Sequence, residues 1–174
     1  HVPSAVCMPS RCVMATGMYP HRNGVEGFAP VDKGLPTVMG CLKDAGYLIG
    51  ILGKVRHCAP TGVYSWDMAH DKEELGEGRN PDLYRKFIKD FIDRAKEENK
   101  PFYLMANAHD PHRPFSGSDQ EKNMFAGKTI TPPSRTYKTD EVAVPGFLPD
   151  IPEIRREIAE YFSSVRRCDD VVGV

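Results

Sequence analysis

The sequence lacks any apolar run of the roughly 20 residues that a membrane-spanning helix needs. It also lacks an excess of charge of either sign. Its 23 Lys and Arg stand against 24 Asp and Glu, a formal net charge of -1, so the basic footprint that holds duplex nucleic acid is missing. Cysteine is sparse and scattered. Cys7, Cys12, Cys41, Cys58 and Cys168 form no C-x-x-C pair and no His-rich zinc spacing. Five is an odd number, which fits one thiol being consumed chemically and equally fits five ordinary thiols. Internal repeats and low-complexity tracts are absent. The chain opens on His1 and not Met, so the lack of a leader peptide says nothing. What remains is 174 residues, 40% hydrophobic and 27% charged, enough for a globular domain with one sizeable core.

Hydrophobic spacing gives the coarse architecture. Leu35, Val38, Met39 and Leu42 fall on one helical face, in a helix that Gly46 ends. Residues 47–52 then read as a short buried strand, with Gly53-Lys54 at its carboxyl end. A second helix is expected over 81–99: Asn80 is a good N-cap, Pro81 suits the first turn, and Leu83, Phe87, Phe91 and Ala95 make a stripe. Residues 101–108 form a nearly continuous apolar run, the pattern of a strand buried on both faces, and His109-Asp110-Pro111-His112 follows directly. Residues 113–151 are rich in Pro and Gly and read as an irregular surface excursion. A last helix starts near Pro152 and is expected to carry Ile154, Ile158, Phe162 and Val165 inward. This alternation implies an α/β fold with a mainly parallel sheet flanked by helices. Ligands of such sheets sit beyond the carboxyl ends of the strands, where Lys54 and His109 lie.

The run Cys7-Met8-Pro9-Ser10-Arg11, with Thr16-Gly17 after it, carries the chemistry. It opens a helix expected over 9–15 that Gly17 stops, which puts residue 7 at a positive dipole end suited to a sulfate or an oxyanion. Taken alone, the run also describes an ordinary thiol beside a Pro-Ser helix start, because proline is common at first helical positions.

In context the run resembles the signature of type I sulfatases, members of the alkaline-phosphatase-like superfamily. The supporting stretches are DAGYLIGILGK (44–54), PFYLMANAHDPHRPF (101–115) and YFSSVRRCDDVVGV (161–174). Within the family the likeness is to the heparan N-sulfatase (sulfamidase) group and its bacterial relatives. It rests on PHRNGVEG (20–27), GVYSWDMAHDKEELGEGRN (62–80) and VAVPGFLPDIPEIRREIAEYFSSV (142–165).

The resemblance implies an alkaline-phosphatase/sulfatase-like fold and a Cys7 oxidised by a formylglycine-generating enzyme to Cα-formylglycine, the nucleophile. Arg11 would hold the formylglycine hydroxyl, Lys54 the sulfate oxygens, and His57 the formylglycine or the leaving side. His109 would bind sulfate and protonate the leaving group, with His112 beside it on the substrate or bracing the loop with Asp110. One departure concerns the spacing. The family reads Gly-Lys-x-His, whereas this chain reads Gly53-Lys54-Val55-Arg56-His57, one residue longer, so Arg56 competes with His57 for the role. His21 and Arg22 line the sugar pocket or a solvated loop, and selectivity would lie in 59–80 and 113–151.

The family's cofactor is calcium, held by an Asp-Asp pair and a later Asp-Asn pair. Cys7, as formylglycine, would be a ligand. The first pair is expected before residue 1 and the second after residue 174, which makes this chain an incomplete internal portion of the N-terminal catalytic domain, inactive by itself. Asp169-Asp170 ends a helix and is expected to cap or solvate it rather than bind metal. The expected function of the full-length parent is release of sulfate from a sulfated saccharide, by a protein of a periplasmic, secreted or lysosome-like compartment. The alternatives are a phosphoesterase or phosphonate monoester hydrolase of the same superfamily, and a non-catalytic relative that binds sulfated sugars.

Overall fold

The structure is a computed structural model that describes residues 2–29, 34–58 and 65–174, with Cys58 described by its backbone alone. The chain divides into two compact units, one of residues 1–71 and 87–107, the other of residues 72–86 and 108–174.

The first unit is built around strand β1 (Leu48–Leu52), which pairs in parallel with β2 (Met68–His70) on one side and β3 (Phe102–Ala106) on the other. All five residues of β1 are buried. Side chains alternate along a strand, and each face of β1 has its own cover. Ile49 packs on Ala15 of α1 (Cys7–Thr16) and Met39 of α3 (Val38–Asp44), with Leu42, Tyr47, Trp66 and Tyr103 around them. Leu48 meets Phe91 and Ala95 of α5 (Pro81–Glu97) on the opposite face. A strand covered on both faces must be apolar throughout, which is why LIGIL shows no alternation.

Asn80 caps α5 as expected, accepting from Asp82 and Leu83 at 3.0 and 3.3 Å. Thr37, not singled out in the sequence, caps α3 by accepting the Gly40 N–H at 3.1 Å. Gly17 ends α1 at φ 68, in the left-handed region that glycine adopts at little cost. Two expectations change. Leu35 lies outside α3 and packs with Cys12 and Val25. The strand expected over 101–108 to be buried on both faces is shorter, Phe102–Ala106, with both ends exposed. The reason is its position: among the described residues it pairs with β1 alone.

The second unit holds the irregular stretch 113–151, interrupted by α6 (Asp119–Met124), and the long helix α7 (Pro152–Val172). Here the expected buried face of α7 is wrong. The buried residues are Ala159, Ser163, Ser164, Arg167 and Val171, whereas Phe162 and Val165 are 36% and 40% exposed. Hydrogen bonding selects this face. The segment lying over α7 carries backbone N–H groups that must find partners: Ser116 donates to Ser164 Oγ at 2.7 Å and Tyr137 to Ser163 Oγ at 3.0 Å. Apolar periodicity cannot report such a face.

The cover of β1 generates a test. A Cβ on Gly50 would lie 2.9 Å from the Phe91 ring and 3.0 Å from Leu104 Cδ1. Gly50→Val in the full-length protein is expected to lose about 1–3 kcal/mol to overpacking, measured by denaturant unfolding; an unchanged midpoint would contradict the packing of α5 on β1.

Candidate active site

The sulfatase-like run lies at the start of α1. Helix formation begins at Cys7 itself, two residues before the expected start, and Val6 is the N-cap without a side-chain cap. The first-turn N–H groups of a helix have no intrahelical acceptor, Pro9 has no N–H, and no acidic side chain occupies this turn. Cys7 therefore sits on the first residue of a helix, at the end whose dipole favours negative charge. It is part-buried, whereas Cys12 one turn on is buried. Burial pushes the thiols of Cys12 and Cys168 above the ordinary cysteine range, which makes both poor nucleophiles.

The strand β1 ends in an abrupt turn. Gly53 and Lys54 both adopt left-handed backbone, φ 67 and 58. That is uncommon for a residue with a side chain. The chain then closes a single turn, α4 (Val55–Cys58), in which the His57 N–H donates to the Lys54 carbonyl at 3.0 Å. This turn carries His57 round to face α1. His57 Nδ1 lies 3.8 Å from Cys7 Sγ, and the Phe28 ring stands edge-on to the imidazole at 5.8 Å. Arg56, its competitor, is exposed and pairs with Asp71 at 3.8 Å.

Asn107 was not foreseen. Its Oδ1 accepts from Arg11 at 2.7 Å, and its Nδ2 donates to the carbonyls of Leu52 and Gly53 at 3.1 Å and of Met105 at 3.3 Å. Its own N–H donates to Leu52 at 2.8 Å. One amide thus ties the guanidinium of the motif to the turn that carries Lys54. The signal was present: a polar residue interrupts the apolar run PFYLMANA, and an amide buried there needs partners.

His109 and His112 belong to the second unit. Their rings stand 5.1 Å apart, the His109 N–H donates to Gly78 at 2.9 Å, and His112 Nδ1 contacts the Arg113 carbonyl at 2.7 Å. Asp110, expected to make local turn bonds, is instead deeply buried and takes Arg167 at 2.5 and 3.2 Å and Arg79 at 3.2 Å. Burial pulls Arg79 down from the ordinary arginine value, and the charge of nearby Arg167 adds to this. Burial also opposes the charge on Arg167, but its bonds to Asp110 and Glu121 outweigh that and raise it. Both stay cationic, since guanidinium titrates far above neutrality. His21 and Arg22 are exposed on the short helix α2 (Pro20–Asn23). Asp170 does more than solvate its helix end: it accepts from the Ser134 N–H and hydroxyl at 2.7 and 2.6 Å. Residues 59–64 of the expected selectivity loop lie outside the described residues.

The residues present do not compose a calcium cage. Calcium takes six to eight oxygen ligands, and among the described residues no group of three or more His, Cys, Asp or Glu side chains is placed to hold a metal. The neighbours of Cys7 and Arg11 are an imidazole and an amide whose oxygen is engaged. No helix is long and apolar enough to cross a membrane, among the described residues.

Replacing Asn107 by Leu is expected to cost about 1.5–3 kcal/mol, the range of a hydrogen bond to a charged group, and to lower turnover of the full-length protein through Arg11. Turnover unaffected by the substitution would remove Asn107 from the site. Arg167→Met leaves Asp110 with one cation and is expected to lose about 3–5 kcal/mol, checked by denaturant unfolding.

Comparison with known proteins gives the family and the fold. The profile of the Sulfatase family matches residues 1–174. Human N-sulphoglucosamine sulphohydrolase is 33% identical over 189 residues, covering 97% of this chain and 36% of that protein. A lipoteichoic acid synthase from Listeria monocytogenes superposes with a TM-score of 0.57 at 16% identity, over 99% of this chain and 39% of its own. A structure in complex with its substrate D-glucosamine-2-N,6-O-disulfate gives 0.55 at 16% identity, over 98% of this chain and 43% of its own. The chain thus spans less than half of each of these relatives. The parallel sheet flanked by helices is the alkaline-phosphatase/sulfatase-like fold, and the chain belongs to the Sulfatase family.

Proposed function

We propose that the full-length protein is a sulfatase that hydrolyses a sulfate ester or sulfamate of a saccharide, with formylglycine formed from Cys7 as nucleophile. The observation that carries this reading is the placing of Cys7 on the first residue of α1 with His57 Nδ1 3.8 Å from its sulfur. A hydrated aldehyde at this position supplies two hydroxyls on one carbon, one to bond sulfur and one whose deprotonation later expels sulfate. No ordinary serine can complete that second step.

The chain's own residues supply the rest. Arg11, steadied by Asn107, and Lys54, on its left-handed turn, bring fixed positive charge to an anionic substrate. His57 takes the proton of the attacking hydroxyl, and His109 gives one to the departing amine or alkoxide. His112 supports the substrate side. Calcium would be held by Cys7, as formylglycine, with its other ligands outside these 174 residues, and no step here passes through the metal. The likeness to human N-sulphoglucosamine sulphohydrolase supports an N-linked sulfate on a glucosamine as the substrate.

Three measurements test this. The tryptic peptide holding Cys7, from protein made in its native host, is expected to weigh about 18 Da less than the thiol form, the loss of hydrogen sulfide against gain of oxygen in an activated nucleophile. An unmodified thiol would overturn the nucleophile and favour a sugar-binding relative. The full-length protein should release sulfate from N-sulfoglucosamine and prefer aryl sulfate to aryl phosphate. The fold is shared with a lipoteichoic acid synthase, so a strong phosphate preference would reassign the protein to the phosphoesterases. His109→Ala should impair the sugar substrate by roughly 100-fold or more and an activated aryl sulfate far less, since a good leaving group needs little protonation.

A further inference from the structure

The turn before Asn80 is unusual: Gly76, Glu77 and Gly78 are consecutive residues with positive φ, at 62, 59 and 73. Glu77 is the costly member, because a side chain in the left-handed region is strained by about 1–2 kcal/mol. Such strain persists only where the surroundings over-determine it. The turn is held at many points. Gly78 N–H donates to Lys72 at 2.9 Å, Arg79 and Asn80 N–H donate to Leu75 at 3.1 and 3.2 Å, and Glu77 pairs with Lys128 at 2.5 Å.

The turn faces the segment 109–114. Gly78 accepts the His109 N–H at 2.9 Å. A Cβ on Gly78 would lie 2.7 Å from His109 Cβ, so the backbone of one segment rests directly against the side chain of the other. Arg79 takes over where Gly78 stops. Its guanidinium is almost wholly buried, pairs with Asp110, and donates to the carbonyls of His112 and Pro114 at 3.4 and 3.3 Å. It also closes the turn on itself by donating to Glu77 O at 2.9 Å.

We infer that Gly78 and Arg79 are positioning residues for His109: the glycine sets how closely the imidazole can approach, and the arginine fixes the segment that follows it, through Asp110 and the carbonyls of His112 and Pro114. The role rests on the general-acid reading of His109 given above. Strain at Glu77 follows from the need to deliver a Cβ-less residue to that contact and a guanidinium to the next.

The test uses the full-length enzyme and a matched pair of substitutions. Gly78→Ala and Gly76→Ala impose the same left-handed strain, but the new methyl meets His109 in the first and Asn80 Cβ, 2.8 Å away, in the second. Two readouts are taken: the ratio of kcat/KM on an activated aryl sulfate to that on the sugar substrate, and the His109 imidazole NMR signal, assigned by its loss in His109→Ala. Gly78→Ala is expected to raise the ratio by roughly 10–100-fold, as displacement of a catalytic group by an ångström does, and to shift the signal. Gly76→Ala should lower stability similarly and alter neither. If Gly78→Ala does not fold, Arg79→Lys, which keeps the charge and loses the fork, should move both readouts in the same direction. An unmoved ratio and signal in the folded variant, or equal movement in Gly76→Ala, would overturn the inference. Equal losses on both substrates in His109→Ala would instead overturn the acid role, and the NMR signal alone then decides whether these residues position the imidazole.

Discussion

The burial of β1 on both faces and both edges constrains everything around it. A strand enclosed in this way has no water to satisfy its last carbonyls, so the chain must supply donors where β1 ends. Asn107 supplies them, from its backbone to Leu52 and from its amide to Leu52 and Gly53. Gly53 in turn donates to His70 on the other edge at 2.7 Å. With both neighbours engaged, the chain can leave only by turning sharply. That turn sets Lys54 at the carboxyl end of the sheet and begins the helical turn that aims His57 at Cys7. The candidate site is therefore a consequence of closing the sheet.

The second unit solves a different problem with charge. Asp110 follows His109 in sequence, and two arginines converge on it in a place almost without solvent. Buried ion pairs repay their desolvation only with good geometry and further hydrogen bonds. Both arginines make further hydrogen bonds: Arg167 reaches Glu121 at 2.7 Å and Thr131 O at 3.2 Å, and Arg79 bonds three backbone carbonyls. The net effect is rigidity in the backbone that carries His109, obtained from distant parts of the chain.

Features set by local chemistry were legible in the sequence. Asn80 and Gly17 act within a few residues, and LIGIL announces its burial by composition alone. The C-x-P-S-R run was legible as a motif, although its helix starts earlier, at Cys7. The rest depends on pairings between remote residues. The short strand β2 has three residues and no fully buried side chain, too little for a period to show. The inward face of α7 was misread because serines and an arginine, chosen for the backbone groups they satisfy, stand where apolar residues were expected. Asn107, Arg79 and the Gly76–Gly78 turn show in sequence only as a polar break in an apolar run and a cluster of glycines.

Lys54 shows how such a site limits its own refinement. Its φ of 58 lies in a region where glycine would be more comfortable by about 1 kcal/mol, so the substitution that relaxes the backbone also deletes the cation. Asparagine, the next most tolerant residue there, is shorter and neutral. On the role proposed for Lys54, backbone comfort and the charge at the end of β1 therefore pull position 54 in opposite directions.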